Sequence, residues 1–289
     1  MNPASSPAVT KATAPDGMTV AYRSLTGVGH PIVAIHGFTG NGLTMLPLIE
    51  ASREGRPAIL VDVIGHGESG APDHLEHYTM ASVVDQVLSV IGPHEPGTVH
   101  LLGYSMGARI ALSMAARAPW YFASLTLLSG TAGLGHAGDR ARRHVEDHKL
   151  ADRLLEVGLE EFVEDWLRLP IFAPFVEALS VDELAATKAQ RQGASPIGLA
   201  NSLRGTGTGS MPPLWSVLAS VRSPLLAIAG SLDAKYTDLA HAMAEAVATG
   251  RAEIVAGAGH VVHHENLPEV ASIVQSFLSE CETDEDHEG

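Results

Sequence analysis

Three residues far apart in this 289-residue chain have the types and settings needed for proton transfer or nucleophilic attack: Ser105, Asp233 and His260. Ser105 sits in Gly103-Tyr104-Ser105-Met106-Gly107, between an apolar run that ends at Gly103 and a helix-period run that begins at Met106. A strand-to-helix turn of this kind holds a side chain clear of the backbone. Its flanking glycines relieve crowding, and the helix N-terminus favours developing negative charge. A serine hydroxyl is a weak base and a weak nucleophile at neutral pH, so it needs an imidazole beside it, and the imidazole needs a carboxylate to fix its tautomer. His260 follows the run AEIVAG in the loop GAGH, and Asp233 follows PLLAIAG in the turn SLD. Both should therefore project from the carboxyl edge of a parallel sheet, where Ser105 also lies. The other acid position on such a sheet, after SLTLLSG, offers Gly130 and Thr131 and no carboxylate.

The first strong apolar run ends in His36-Gly37-Phe38. From there the backbone amide of Phe38 is expected to join that of Met106 in stabilising an oxyanion. His36 reads as an organiser of that loop. Asp62, in VDVIGHGES, reads as an organiser of the next turn through local backbone hydrogen bonds. His144 and His148 share a helical face at i,i+4, but no third ligand and no H-E-x-x-H arrangement accompany them, so no metal is expected. His263, His264 and Glu265 read chiefly as the start of a helix just beyond the histidine loop, with lining of the mouth of the site as the alternative.

The elements that must position these residues follow from hydrophobic pattern. Apolar runs rich in β-branched residues occur at 32–37, 58–63, 98–103, 124–130, 224–230 and 252–257 and predict buried parallel strands. Helix-period segments alternate with them, including Ile110 to Ala115 and Pro268 to Leu278, which implies a doubly wound α/β sheet. The turn at Ser105 makes this an α/β-hydrolase fold. The alternation stops over 131–221, where Leu150 pairs with Leu154 and Phe162 with Trp166 at i,i+4, so this stretch predicts a helical cap inserted after the sixth strand. The expected organisation is a disordered N-terminus at 1–16, a core of 17–130 and 222–280, and an acidic, solvated tail at 281–289. The glycine-rich GTGTGSMPP (205–213) reads as a flexible loop and not a phosphate cradle, since no lysine follows it.

A formal net charge of -15 disfavours nucleic acid and anionic membranes. With one cysteine, Cys281, no intramolecular disulfide can form, and since the first residues carry no apolar h-region and no membrane-length apolar run follows, neither secretion nor membrane spanning is expected. A cytoplasmic monomer or small homo-oligomer is expected, free of nucleic acid and membrane.

Several longer phrases carry a narrower signal. HGFTG, DVIGHGESGAPDHLEHYTM, GYSMGAR, LSGTAGL, ARRHVED, DWLRLPIF, GLANSLRGTGTG, AGSLDAKY and GAGHVVHHENLP, in that order, resemble segments of the 2-succinyl-6-hydroxy-2,4-cyclohexadiene-1-carboxylate synthases of menaquinone biosynthesis. The resemblance runs from about Thr19 to Phe277. It implies a lyase that needs no cofactor: Ser105 takes a proton from a cyclohexene bearing succinyl, enolpyruvyl and carboxylate groups, and pyruvate departs. A small substrate with several carboxylates calls for arginines in an otherwise acidic protein. The resemblance supplies Arg109, then Arg140 or Arg143, then Arg191, with Tyr104 and Trp166 as pocket aromatics. One departure is Ala108, where the family commonly has a second glycine. Two other readings share these residues: a serine hydrolase acting through an acyl-enzyme, and a ligand-binding module on the same fold.

Overall fold

The computed structural model describes residues 6–92 and 94–285. Eight strands form one sheet in the order β1-β2-β4-β3-β5-β6-β7-β8. The six expected strands are β3 (Ile32–Ile35), β4 (Ala58–Val61), β5 (Val99–Tyr104), β6 (Phe122–Leu128), β7 (Leu225–Gly230) and β8 (Gly250–Val255), and adjacent members of this set are parallel. Their apolar runs are continuous because both faces are covered. On β3, Val33 and Ile35 face one core while Ile32 and Ala34 face the other. On β7, Leu225, Ala227 and Ala229 alternate with Leu226 and Ile228 in the same way.

The first core lies under α2 (Met80–Ile91), α3 (Met106–Arg117) and α9 (Ala234–Ala246). The second lies under α1 (Leu46–Ser52) and α11 (Leu267–Glu285). Each fully buried leucine or isoleucine in these layers contributes roughly 1.5–3 kcal/mol through removal from water.

Between β6 and β7 the chain leaves the sheet and forms α4 (Ala137–Val157), α5 (Leu159–Leu167), α6 (Ala173–Ala178), α7 (Val181–Gln192) and α8 (Pro196–Thr206). Leu154, Phe162, Leu199 and Leu203 make a separate small core where α4, α5 and α8 meet. Val163, Leu167 and Phe172 pack with Val261 of the main domain, so the cap sits directly over the carboxyl edge of the sheet.

Three expectations are corrected. Val9–Thr13 is not disordered: it forms β1 and pairs antiparallel with β2 (Thr19–Leu25), closing a hairpin through the turn at 14–17. β1 is mostly exposed and short, so backbone pairing holds it and composition does not betray it. Residues 1–5 lie outside the described residues. The tail is also ordered through Glu285 as the end of α11, because Glu282 is anchored by two 2.8 Å hydrogen bonds from Arg56; only 286–289 lie outside the described residues. The glycine-rich 205–213 begins as the last turn of α8 and then packs on α4, where a Cβ on Gly209 would come within 2.2 Å of the His144 nitrogen. Its small residues permit that close approach. Among the described residues no helix is long and apolar enough to cross a membrane.

Candidate active site

β5 runs into α3 through Ser105, whose φ of 51° and ψ of −103° lie outside the regions that a serine normally adopts. The surrounding packing holds it there. A Cβ on Gly103 would meet the Gly107 carbonyl oxygen at 2.3 Å, and one on Gly107 would meet the Ile35 carbonyl oxygen at 2.0 Å. Both positions therefore require glycine for close backbone approach. Ala108, the departure noted above, is accommodated opposite Gly130: a Cβ on Gly130 would come within 2.9 Å of the Ala108 methyl.

Ser105 Oγ lies 3.1 Å from His260 Nε2, and His260 Nδ1 lies 2.8 Å from Asp233 Oδ2. Asp233 ends the turn after β7 and caps α9, and His260 is buried in the loop after β8. Three fastenings hold the histidine backbone. Ser129 Oγ donates to the His260 carbonyl at 2.7 Å, while the Glu265 carboxylate accepts from the amides of Gly259 and, at 2.9 Å, Val261. Glu265 ends the short helix α10 (Val262–Glu265), so the stretch that reads as a plain helix start serves as a clamp on the histidine loop.

The loop after β3 passes against the serine turn: a Cβ on Gly37 would approach Ser105 Cβ to 3.5 Å. Phe38 and Met106 border the same cavity as Ser105. His36 Nδ1 donates to the Gly37 carbonyl at 2.7 Å and its Nε2 accepts from Val63 N at 3.1 Å, an organising role. Asp62 accepts from Gly42 N at 2.7 Å and Glu68 N at 2.9 Å, and the buried Arg23 compensates its charge at 3.3 Å.

Ser105 sits between two lobes of a cavity beneath the cap. The larger, about 420 Å³, is bordered by Arg109, Arg143, Lys235 and Tyr236. The smaller, about 40 Å³, is bordered by Tyr104, Arg191, His263 and His264. Trp166 and Phe38 flank both lobes, with their ring centroids 5.2 Å apart. The cations are unevenly neutralised. Arg143 Nε pairs with Asp147 at 2.6 Å. Arg109 is buried, its guanidinium donates to the Thr206 carbonyl, and burial pushes its pKa down to about 10, so it stays charged at neutral pH. Arg191 donates to Thr39 Oγ1 at 2.6 Å, with its pKa lowered by burial. Among the described residues, neither Arg109 nor Arg191 has a carboxylate within ion-pair distance.

The structure decides between Arg140 and Arg143. Arg140 donates to the Leu134 carbonyl at 2.9 Å and the Gly135 carbonyl at 2.7 Å and borders neither lobe, so the expectation that placed it at the site is corrected. It starts α4 and is used up in tying down the preceding turn. The remaining expected residues converge. Sequence reasoning missed Lys235 and Tyr236, although both belong to the phrase AGSLDAKY just after Asp233; the Tyr236 ring centroid lies 4.5 Å from that of His260. His263, which could be read as lining the mouth of the site, borders the smaller lobe as a buried imidazole 4.4 Å from the Tyr104 ring, and burial drives its pKa well below the usual range.

Comparison with known proteins places this architecture. The family model for the alpha/beta hydrolase fold matches residues 30–267. A protein of Bacillus subtilis (strain 168) assigned to the 2-succinyl-6-hydroxy-2,4-cyclohexadiene-1-carboxylate synthases is 38% identical over 248 residues, covering 86% of this chain and 90% of its own. The chain belongs to this family. A Yersinia enterocolitica 2-succinyl-6-hydroxy-2,4-cyclohexadiene-1-carboxylate synthase is 29% identical over 250 residues, covering 86% of each chain. The solved structure of MenH from S. aureus superposes with a TM-score of 0.83 at 29% identity, covering 90% of this chain and 98% of that one. Family membership thus extends through the cap as well as the sheet, which is where Arg143, Trp166 and Arg191 reside.

Proposed function

We propose that this synthase-family member converts 2-succinyl-5-enolpyruvyl-6-hydroxy-3-cyclohexene-1-carboxylate to 2-succinyl-6-hydroxy-2,4-cyclohexadiene-1-carboxylate by eliminating pyruvate, in the cytoplasm, on the route to menaquinone. The observation that carries the reading is Arg109, a buried guanidinium one helical turn beyond Ser105 with no carboxylate at ion-pair distance among the described residues. An unpaired buried cation is costly, and a polycarboxylate substrate compensates it. Arg191 and Arg143 supply further cationic contacts on either side of the serine.

In this mechanism Ser105 Oγ removes the proton from the ring carbon next to the succinyl ketone as its own proton passes to His260 Nε2. Asp233 holds the Nδ1–H tautomer and stabilises the imidazolium. The amides of Phe38 and Met106 stabilise the enolate oxygen. The electron pair from the C–H bond then moves into the ring, the carbon–oxygen bond to the enolpyruvyl group breaks, and the departing enolate, protonated at carbon as His260 gives up its extra proton, becomes pyruvate. No acyl-enzyme forms.

The same 3.1 Å serine–histidine contact suits acyl transfer, so a serine hydrolase is the competing reading. A pyruvate-coupled assay on the cyclohexene substrate distinguishes them. Pyruvate release that disappears in Ser105→Ala supports the lyase. A stoichiometric burst with an activated ester, without pyruvate release from the cyclohexene, supports the hydrolase.

A further inference from the structure

Three ligand-type side chains outside the active site converge at the amino edge of the sheet. His30 lies in the loop between β2 and β3, His100 near the start of β5, and Glu282 on the last turns of α11. One ligand atom from each lies within 4.8 Å of the other two. The spot is five residues along β5 from Ser105, about 16 Å at roughly 3.3 Å per residue.

We propose that His30, His100 and Glu282 bind a divalent transition-metal ion of the zinc class, which fastens α11 to the amino edge of the sheet. Two imidazoles and one carboxylate, with water in the fourth position, are a donor set suited to such an ion.

The geometry is close to what zinc requires. Nitrogen and oxygen ligands at roughly 2.0–2.2 Å in a tetrahedron stand about 3.3 Å apart. His100 Nε2 and Glu282 Oε1 are 3.2 Å apart. The supporting contacts are present as well: His100 Nδ1 lies 2.8 Å from Ser124 Oγ, which can take the Nδ1 proton and leave Nε2 for the metal. Arg56 donates to both Glu282 oxygens at 2.8 Å, fixing the orientation of the carboxylate.

His30 is the part that must move. Its buried Nδ1 has no hydrogen-bond partner among the described residues, and its ring centroid is 5.7 Å from that of His100. It follows Gly29, whose φ of 99° gives this loop a glycine pivot. A shift of about 1.5 Å brings the widest ligand separation to the tetrahedral edge.

The test is calorimetric titration of zinc chloride into the metal-stripped full-length chain, together with visible spectroscopy of the cobalt(II) form. The expected result is one bound equivalent with a tetrahedral cobalt spectrum, weakened at least about tenfold in His30→Ala and His30→Gln. Zinc should raise the thermal midpoint of the parent chain and not of those variants. A His144→Ala/His148→Ala double variant, which removes a separate adjacent histidine pair, should bind as the parent does. The proposal is overturned by the absence of stoichiometric binding, by parental affinity in both His30 variants, or by loss of binding in the His144/His148 variant.

Discussion

Arg109 and Thr206 are joined across the boundary between sheet domain and cap: the guanidinium on α3 donates to the main-chain carbonyl at the end of α8. One donor of the fork thereby fixes the side chain to the cap, and its charge remains available to the larger lobe. Substrate affinity and cap position should therefore share this residue.

Arg109→Ala removes a charge-assisted contact of about 1.5–3 kcal/mol, so kcat/KM in the pyruvate assay should fall about 10- to 100-fold. Arg109→Lys should recover only part of the loss, because an ammonium cannot hold the Thr206 carbonyl and a carboxylate in the same planar geometry. Equal rates in all three proteins would remove Arg109 from the site.

Glu265 acts at one remove from the chemistry, through the backbone on both sides of His260. In Glu265→Ala two buried amides lose their acceptor, at about 1–3 kcal/mol each. Steady-state kinetics should show kcat reduced with KM little changed, because the histidine is displaced and the arginines are not. Chemical denaturation should report a parallel loss of stability.

Acid should destabilise the protein at a pH where its carboxylates are still ionised. Burial lowers the pKa of His66 to about 3 and of His100 to about 4, against 6.5 for the free side chain. Below pH 6.5 the unfolded chain binds protons that the folded one refuses. Stability is thus greatest above 6.5 and falls with pH until the folded values are reached, by about 1.4 kcal/mol per pH unit for each such histidine. Urea unfolding at pH 7 and pH 5 measures the slope, and His66→Gln should reduce it. A flat profile between those two pH values would falsify the assignment of these rings as neutral in the folded state.

The parts of this molecule visible in its sequence are those whose signal is local. Six strands announce themselves by apolar runs, and Ser105, Asp233 and His260 by the turn that follows each strand. β1 was invisible because its partner supplies its hydrogen bonds and its side chains bury little. Arg140 and Arg143 looked equivalent because each lies in the same basic turn of α4, and only the fold shows that one reaches back to the loop before the helix while the other faces Asp147 and the cavity. The role of Glu265 depends on a reversal of the chain between Gly259 and α10 that no periodicity encodes. His30, His100 and Glu282 meet only after the β2–β3 loop and the C-terminal helix arrive at the same strand end.

The missing counter-ions of Arg109 and Arg191 have an effect beyond recognition. Each guanidinium is buried without a carboxylate at ion-pair distance among the described residues, a desolvation cost that holds the protein below the stability its packing could otherwise reach. The proposed polycarboxylate substrate, spanning the two lobes, would complete the electrostatics and tie cap to sheet in one event. The ligand in this design is also a missing piece of the fold, and occupancy makes the protein harder to unfold.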